Sequence, residues 1–147
     1  MNLLPSLPKQ ALLIAATAAA FALVTSASAQ TTSMRMEIPF SFVAGDQTLP
    51  AGAYQVRVEE STCRVVILPA AETRILAFRL SLKSVSRKPA NAELGTLQFQ
   101  KYGDEYVLHA VWRPGQTEGH FFAQSKTERD LARLYSPAEV ATIDSSR

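Results

Sequence analysis

The chain is 147 residues long and carries 15 basic residues, 13 acidic residues and a single cysteine. A formal charge of +2 is too small to mark a nucleic-acid-binding surface. One cysteine excludes any intrachain disulfide.

The first element is expected to be a leader rather than part of the fold. Lys9 supplies a positive charge, ALLIAATAAAFALV an apolar run, and Ala27-Ser28-Ala29 a small-x-small cleavage site. The run is short for a hydrocarbon core about 30 Å thick, so a signal peptide over residues 1–29 is favoured over a transmembrane span. The residue directly after the cleavage site is Gln30, not a cysteine, so a lipoprotein anchor is not expected. The mature chain would be Gln30 to Arg147, a periplasmic or extracellular protein with no transmembrane span. It shows no repeat or low-complexity block and reads as a single domain over 30–147, large enough for one core.

From Met34 the pattern alternates strictly. Met34, Met36, Ile38, Phe40 and Phe42 fall on one side, and Arg35, Glu37, Pro39 and Ser41 on the other. Period two predicts a half-buried strand, with Pro39 at an edge position or a break. Gly45-Asp46 ends it, with Asp46 read as a turn former. Leu49-Pro50-Ala51-Gly52 then turns the chain: Pro50 suits the second position of a type I turn and Gly52 the fourth. AYQVRV is the next strand, with Tyr54, Val56 and Val58 inward. After EEST comes CRVVIL, which puts Cys63, Val65 and Ile67 on one face. A buried thiol is favoured there over an intermolecular disulfide. PAAE leads to the strand TRILAFRL. SLKSVSRKPANAE is expected to be a polar loop with a short strand around Leu82 to Val85.

The segment LGTLQFQKY-GD-EYVLHAVWR predicts a hairpin, because Gly103-Asp104 suits a two-residue primed turn. A regular register sets Phe99 against Leu108, Leu97 against Ala110 and Gly95 against Trp112 on the apolar side. The bare Gly95 would leave room for the indole. Thr96, Gln98 and Gln100 would then share the other face with His109. HFFA is a last apolar piece whose helix is expected to cover the outward phenylalanine. Ser125 with Glu128 forms a capping box opening KTERDLARL, a helix over about 126–134 with Leu131 and Leu134 as its stripe and Pro137 as its stop. The tail 138–147 is expected to be loose.

Together these elements predict an all-β protein: one antiparallel β-sandwich or small barrel of about seven or eight strands, with a short C-terminal helix.

Chemistry is sparse. There is no H-E-x-x-H, C-x-x-C, Gly-rich phosphate loop or G-x-S-x-G elbow, so no catalytic residue, metal site or cofactor is assigned. His109 with Gln98, Gln100 and Thr96 forms a candidate binding strip, to be weighed against an ordinary solvated face. His120 with Glu118 and Cys63 lacks any spacing that would bring it together as a base and nucleophile. Arg74, Arg79, Lys83, Arg87 and Lys88 read first as solvated loop charges.

IPFSFVAGDQTLPAGAYQV, QKYGDEYVLHAVW and SKTERDLAR, in this order, resemble an uncharacterised family of small exported bacterial proteins. HFFAQ departs from the charged stretch expected before the helix. The resemblance implies an exported β-rich domain and carries over no site residue. LPAGAYQV is also similar to the turn-into-strand of Ig-like and prealbumin-like sandwich modules. The expected function is an exported, non-catalytic binding or envelope-associated domain, its partner a protein, a glycan or a small ligand. The competing expectations are a small hydrolase-like enzyme with a site of scattered polar residues, and an assembly subunit using an exposed sheet edge.

Overall fold

A computed structural model describes residues 31–72, 74–85, 93–137 and 139–146, the side chains of 78–85 and 139 excepted. The expected leader, and Arg87 and Lys88, lie outside the described residues. The strands are β1 (Thr31–Ile38), β2 (Phe42–Ala44), β3 (Gln47–Leu49), β4 (Gly52–Glu59), β5 (Arg64–Pro69), β6 (Ala77–Val85), β7 (Thr96–Tyr102), β8 (Glu105–Trp112), β9 (Glu118–Phe122) and β10 (Glu139–Asp144). Among the described residues there is one helix, α1 (Lys126–Leu134), which precedes β10.

The fold is an all-β sandwich, and no barrel closes. The front sheet runs β1-β4-β5-β6, antiparallel throughout. The back sheet runs β6-β9-β8-β7-β10, with β2 and β3 attached beside the start of β8. The β2–β8 contact, Phe42↔Tyr106 and Val43↔Val107, is parallel.

Alternation places the core. Met34, Met36 and Ile38 of β1, and Tyr54, Val56 and Val58 of β4, are all buried. They meet Phe42, Val65, Ile67, Leu97, Phe99, Leu108, Val111 and Phe122 between the sheets. The first alternating run breaks at Pro39, as its missing N–H requires. There the chain crosses from the front sheet to the back, and Phe40 sits half-buried in the crossing with its ring stacked on Tyr106 at 4.0 Å.

The β2–β3 turn has Gly45 at φ 75° and the β7–β8 turn Gly103 at φ 60°. Asp46 and Asp104 are not at positive φ, which fits a type II′ turn at both sites. Ala51 likewise stays out of the left-handed region, as a type I turn after Pro50 needs, and Gly52 begins β4. The Tyr54 hydroxyl donates to the Pro50 carbonyl at 2.5 Å and ties that corner to the strand it starts.

Several expectations need correction. The short strand expected around Leu82 to Val85 is present, but no loop separates it from the strand before it: β6 is continuous, pairing with β5 through Leu80 and with β9 from Ser81. A strand that passes between sheets finds a backbone partner along its whole length, β5 for its first half and β9 for its second, which overrides a polar sequence. The tail expected to be loose contains β10, paired with β7 over six residues from Glu139↔Lys101 to Asp144↔Thr96. Cys63 lies in the turn before β5, half-buried at φ 50°, instead of joining Val65 and Ile67 in the core. Leu134 is 76% exposed, so the apolar stripe of α1 reduces to Leu131, which packs on Val43, Tyr102 and Val107.

Candidate functional site

The site is built by an irregularity in the β7–β8 hairpin. From the turn the register runs as a two-residue loop dictates: Tyr102↔Glu105, Lys101↔Tyr106, Gln100↔Val107, Phe99↔Leu108. The next pair is Gln98↔Ala110, which leaves His109 as an extra residue on β8. This β-bulge shifts the alternation by one. Val111 enters the core, and Trp112 turns to the outer face, 4% exposed, where the regular register had put it inward. Trp112 pairs with Thr96, not Gly95. The glycine that makes room for the indole is Gly119, where a Cβ would lie 2.6 Å from Trp112 Nε1; Gly95 is instead crowded by Met34.

The bulge also arranges polar groups on the outer face of the back sheet. Thr142 of β10 is opposite Gln98, Gln98 is opposite Ala110 beside the bulged His109, and Ala110 is opposite Phe121. Gln100 lies one row along, between Val140 and Val107. Gln98, Gln100, His109 and Phe121 are half-buried, and Thr142 and Val140 are exposed. The Phe121 ring meets His109 edge-on at 5.9 Å and Trp112 at 5.3 Å. His109 Nδ1 and Trp112 Nε1 are shielded from solvent and have no hydrogen-bond partner among the described residues.

The structure therefore places Gln98, Gln100 and His109 on one face. Thr96 is diverted: it is 1% exposed and its hydroxyl donates to Asp144 Oδ1 at 2.8 Å. Phe122 points into the core and Phe121 outward, but Leu131 of α1 packs beside Val43 and Val107, not on Phe121. The row gains Thr142, which sequence reasoning missed, and Phe121, the outward phenylalanine that the helix was expected to cover. Thr142 lay in the supposed tail, and its phase becomes readable only once β10 is known to pair with β7.

At one end of this face α1 is pinned by two side chains. Ser125 Oγ accepts from the Glu128 N–H at 3.1 Å, half of the expected capping box. The Glu128 carboxylate is buried (3% exposed) and accepts the Tyr102 hydroxyl at 3.0 Å. Burial, reinforced by the Glu128 charge and hydrogen bond and partly offset by Gln124, pushes the Tyr102 phenol above its usual value. Burial does the same to Tyr54. Asp46 Oδ1 accepts from both the Thr127 N–H and hydroxyl at 3.0 Å, so the residue read as a turn former also caps the helix.

His120 proves to have ionic company that the sequence did not suggest. It is 1% exposed, with Nε2 3.4 Å from Glu60 Oε1, and Arg113 Nη2 is 2.6 Å from the same oxygen. Glu60 belongs to the turn that holds Cys63, whose N–H donates to the Glu60 carbonyl at 3.4 Å. Among the described residues no group of three or more His, Cys, Asp or Glu side chains is arranged to hold a metal ion. No helix among them is long and apolar enough to cross a membrane. Arg74 makes an exposed contact with Glu72 at 3.9 Å.

No family model, curated protein or solved structure matches the chain.

Proposed function

We propose that this is an exported, non-catalytic β-sandwich protein that binds its ligand on the outer face of the back sheet. The reading is carried by one observation: the bulge at His109 gathers an imidazole, two amides, a threonine and a half-exposed phenylalanine in adjacent positions on that face. Bulges re-aim side chains and are features of functional edges and rims. Export rests on the charge, apolar run and cleavage site of residues 1–29.

In-cell crosslinking of the tagged protein, followed by mass spectrometry, tests this reading. A reproducible adduct mapping to β7, β8 or β10 supports it. Turnover on a hydrolase panel, abolished by His109→Ala or His120→Ala, would replace it with an enzyme.

A further inference from the structure

Granting the binding face just described, we infer that its ligand is a neutral oligosaccharide. The row Thr142, Gln98, His109, Phe121 crosses three interstrand gaps of about 4.8 Å, a span of roughly 14 Å. That is the scale of a short sugar chain lying across the strands, with Gln100 reaching a second row.

The chemistry of the row selects the class. Each glutamine amide both donates and accepts, and the threonine hydroxyl does the same. Sugar hydroxyls need that pairing at every position. No Lys, Arg, Asp or Glu side chain stands in the row. The nearest carboxylate at the next row, Asp144, accepts from Thr96. Lys101 lies over the Tyr106 ring at 5.3 Å. An anionic ligand would find no cation in the row and a cationic one no carboxylate. Phe121, and Val140 at 52% exposed, offer apolar surface to the C–H faces of pyranose rings.

The test is titration calorimetry on the full chain as the cell processes it, with neutral trisaccharides of glucose, mannose and N-acetylglucosamine. An oligogalacturonate and an uncharged peptide pool are the comparison probes. Binding of at least one neutral trisaccharide is expected, little changed when salt rises from about 0.05 to about 0.5 M. Gln98→Ala and Thr142→Ala, which fold with side chains at or near the surface, should weaken it about tenfold or more. Arg35→Ala, on the front sheet, should leave it unchanged. Failure of all three neutral sugars overturns the inference, as does binding insensitive to both row variants. Peptide or galacturonate binding lost in Gln98→Ala would overturn the sugar class while leaving the binding face standing. No binding to any probe, with no crosslinked partner, would remove both.

Discussion

Single residues carry more of the architecture than their exposure suggests, and α1 is the clearest case. Nine residues are too few for a helix to hold itself in water, so its ends and its one packed residue decide whether it forms. Ser125→Ala removes the acceptor for the Glu128 N–H, and Asp46→Ala removes the acceptor for Thr127. Each should lower stability by about 1 kcal/mol in urea unfolding, and an effect under a few tenths from either would deny its capping role. Ser125 was readable because its partner is three residues away. Asp46 was not, because Thr127 is 81 positions distant and only the fold brings the β2–β3 turn to the helix. Tyr102 gives the corresponding pH prediction. Its phenol is raised above 10.0 in the fold, first by burial and then by Glu128. The folded state therefore holds a proton that the unfolded chain has released in that window. The stability linked to it is fully present below pH 10 and is lost as pH rises through the folded value. Tyr102→Phe should flatten this alkaline loss, read as urea midpoints on either side of pH 10, while lowering stability at neutral pH by about 1–3 kcal/mol because Glu128 stays buried without its donor.

At the scale of elements, what the sequence announced was local and periodic. The alternation of Met34, Met36 and Ile38, and of Tyr54, Val56 and Val58, located two strands and their buried faces. Gly103-Asp104 set the hairpin register as far as Phe99↔Leu108. The bulge after it was invisible because both registers bury apolar residues; only the indole's size separates them. Gly119 and Gly95 test which register holds. A methyl on Gly119 would meet Trp112 Nε1 at 2.6 Å and Phe121 at 2.9 Å, both parts of rings that pack against each other. A methyl on Gly95 would overlap Met34 Sδ and come within 3.1 Å of its Cγ and 3.3 Å of Pro114 Cδ, so one buried but unbranched thioether chain has to repack where Gly119 would displace two rings. Gly119→Ala should therefore cost about 1–3 kcal/mol, and Gly95→Ala clearly less, in parallel thermal and urea unfolding. The reverse order would restore the regular register, with the indole over Gly95. β10 escaped notice for a different reason: EVATID alternates weakly, and what holds it is pairing with β7 together with the packing of Ala141 and Ile143 on the core, both long-range.

For the whole molecule, the question is what holds two sheets together when the barrel does not close. β6 passes between them on one side. On the other, Ser146 donates its N–H to the Arg35 carbonyl at 3.1 Å, joining the end of β10 to β1. A further link is ionic: Glu60 from the tip of the front-sheet β4–β5 hairpin meets Arg113 and His120, which follow β8 and lie in β9 of the back sheet. The side chains of Arg113 and Glu60 are only 13% and 20% exposed, so the pair is largely withdrawn from water. Such a pair adds little over an apolar substitute, but removing one partner strands the other charge. Glu60→Ala should then destabilise by about 3 kcal/mol because it strands Arg113, and Arg113→Ala by less, because Glu60 keeps His120 at 3.4 Å. The double variant should lose markedly less than the two losses combined, because neither charge remains to be stranded. Urea unfolding of the four proteins at neutral pH closes the cycle. Two small, additive losses would mean that the hairpin tip is held by its neighbouring contacts, and that Glu60 does not fasten the front sheet to the back.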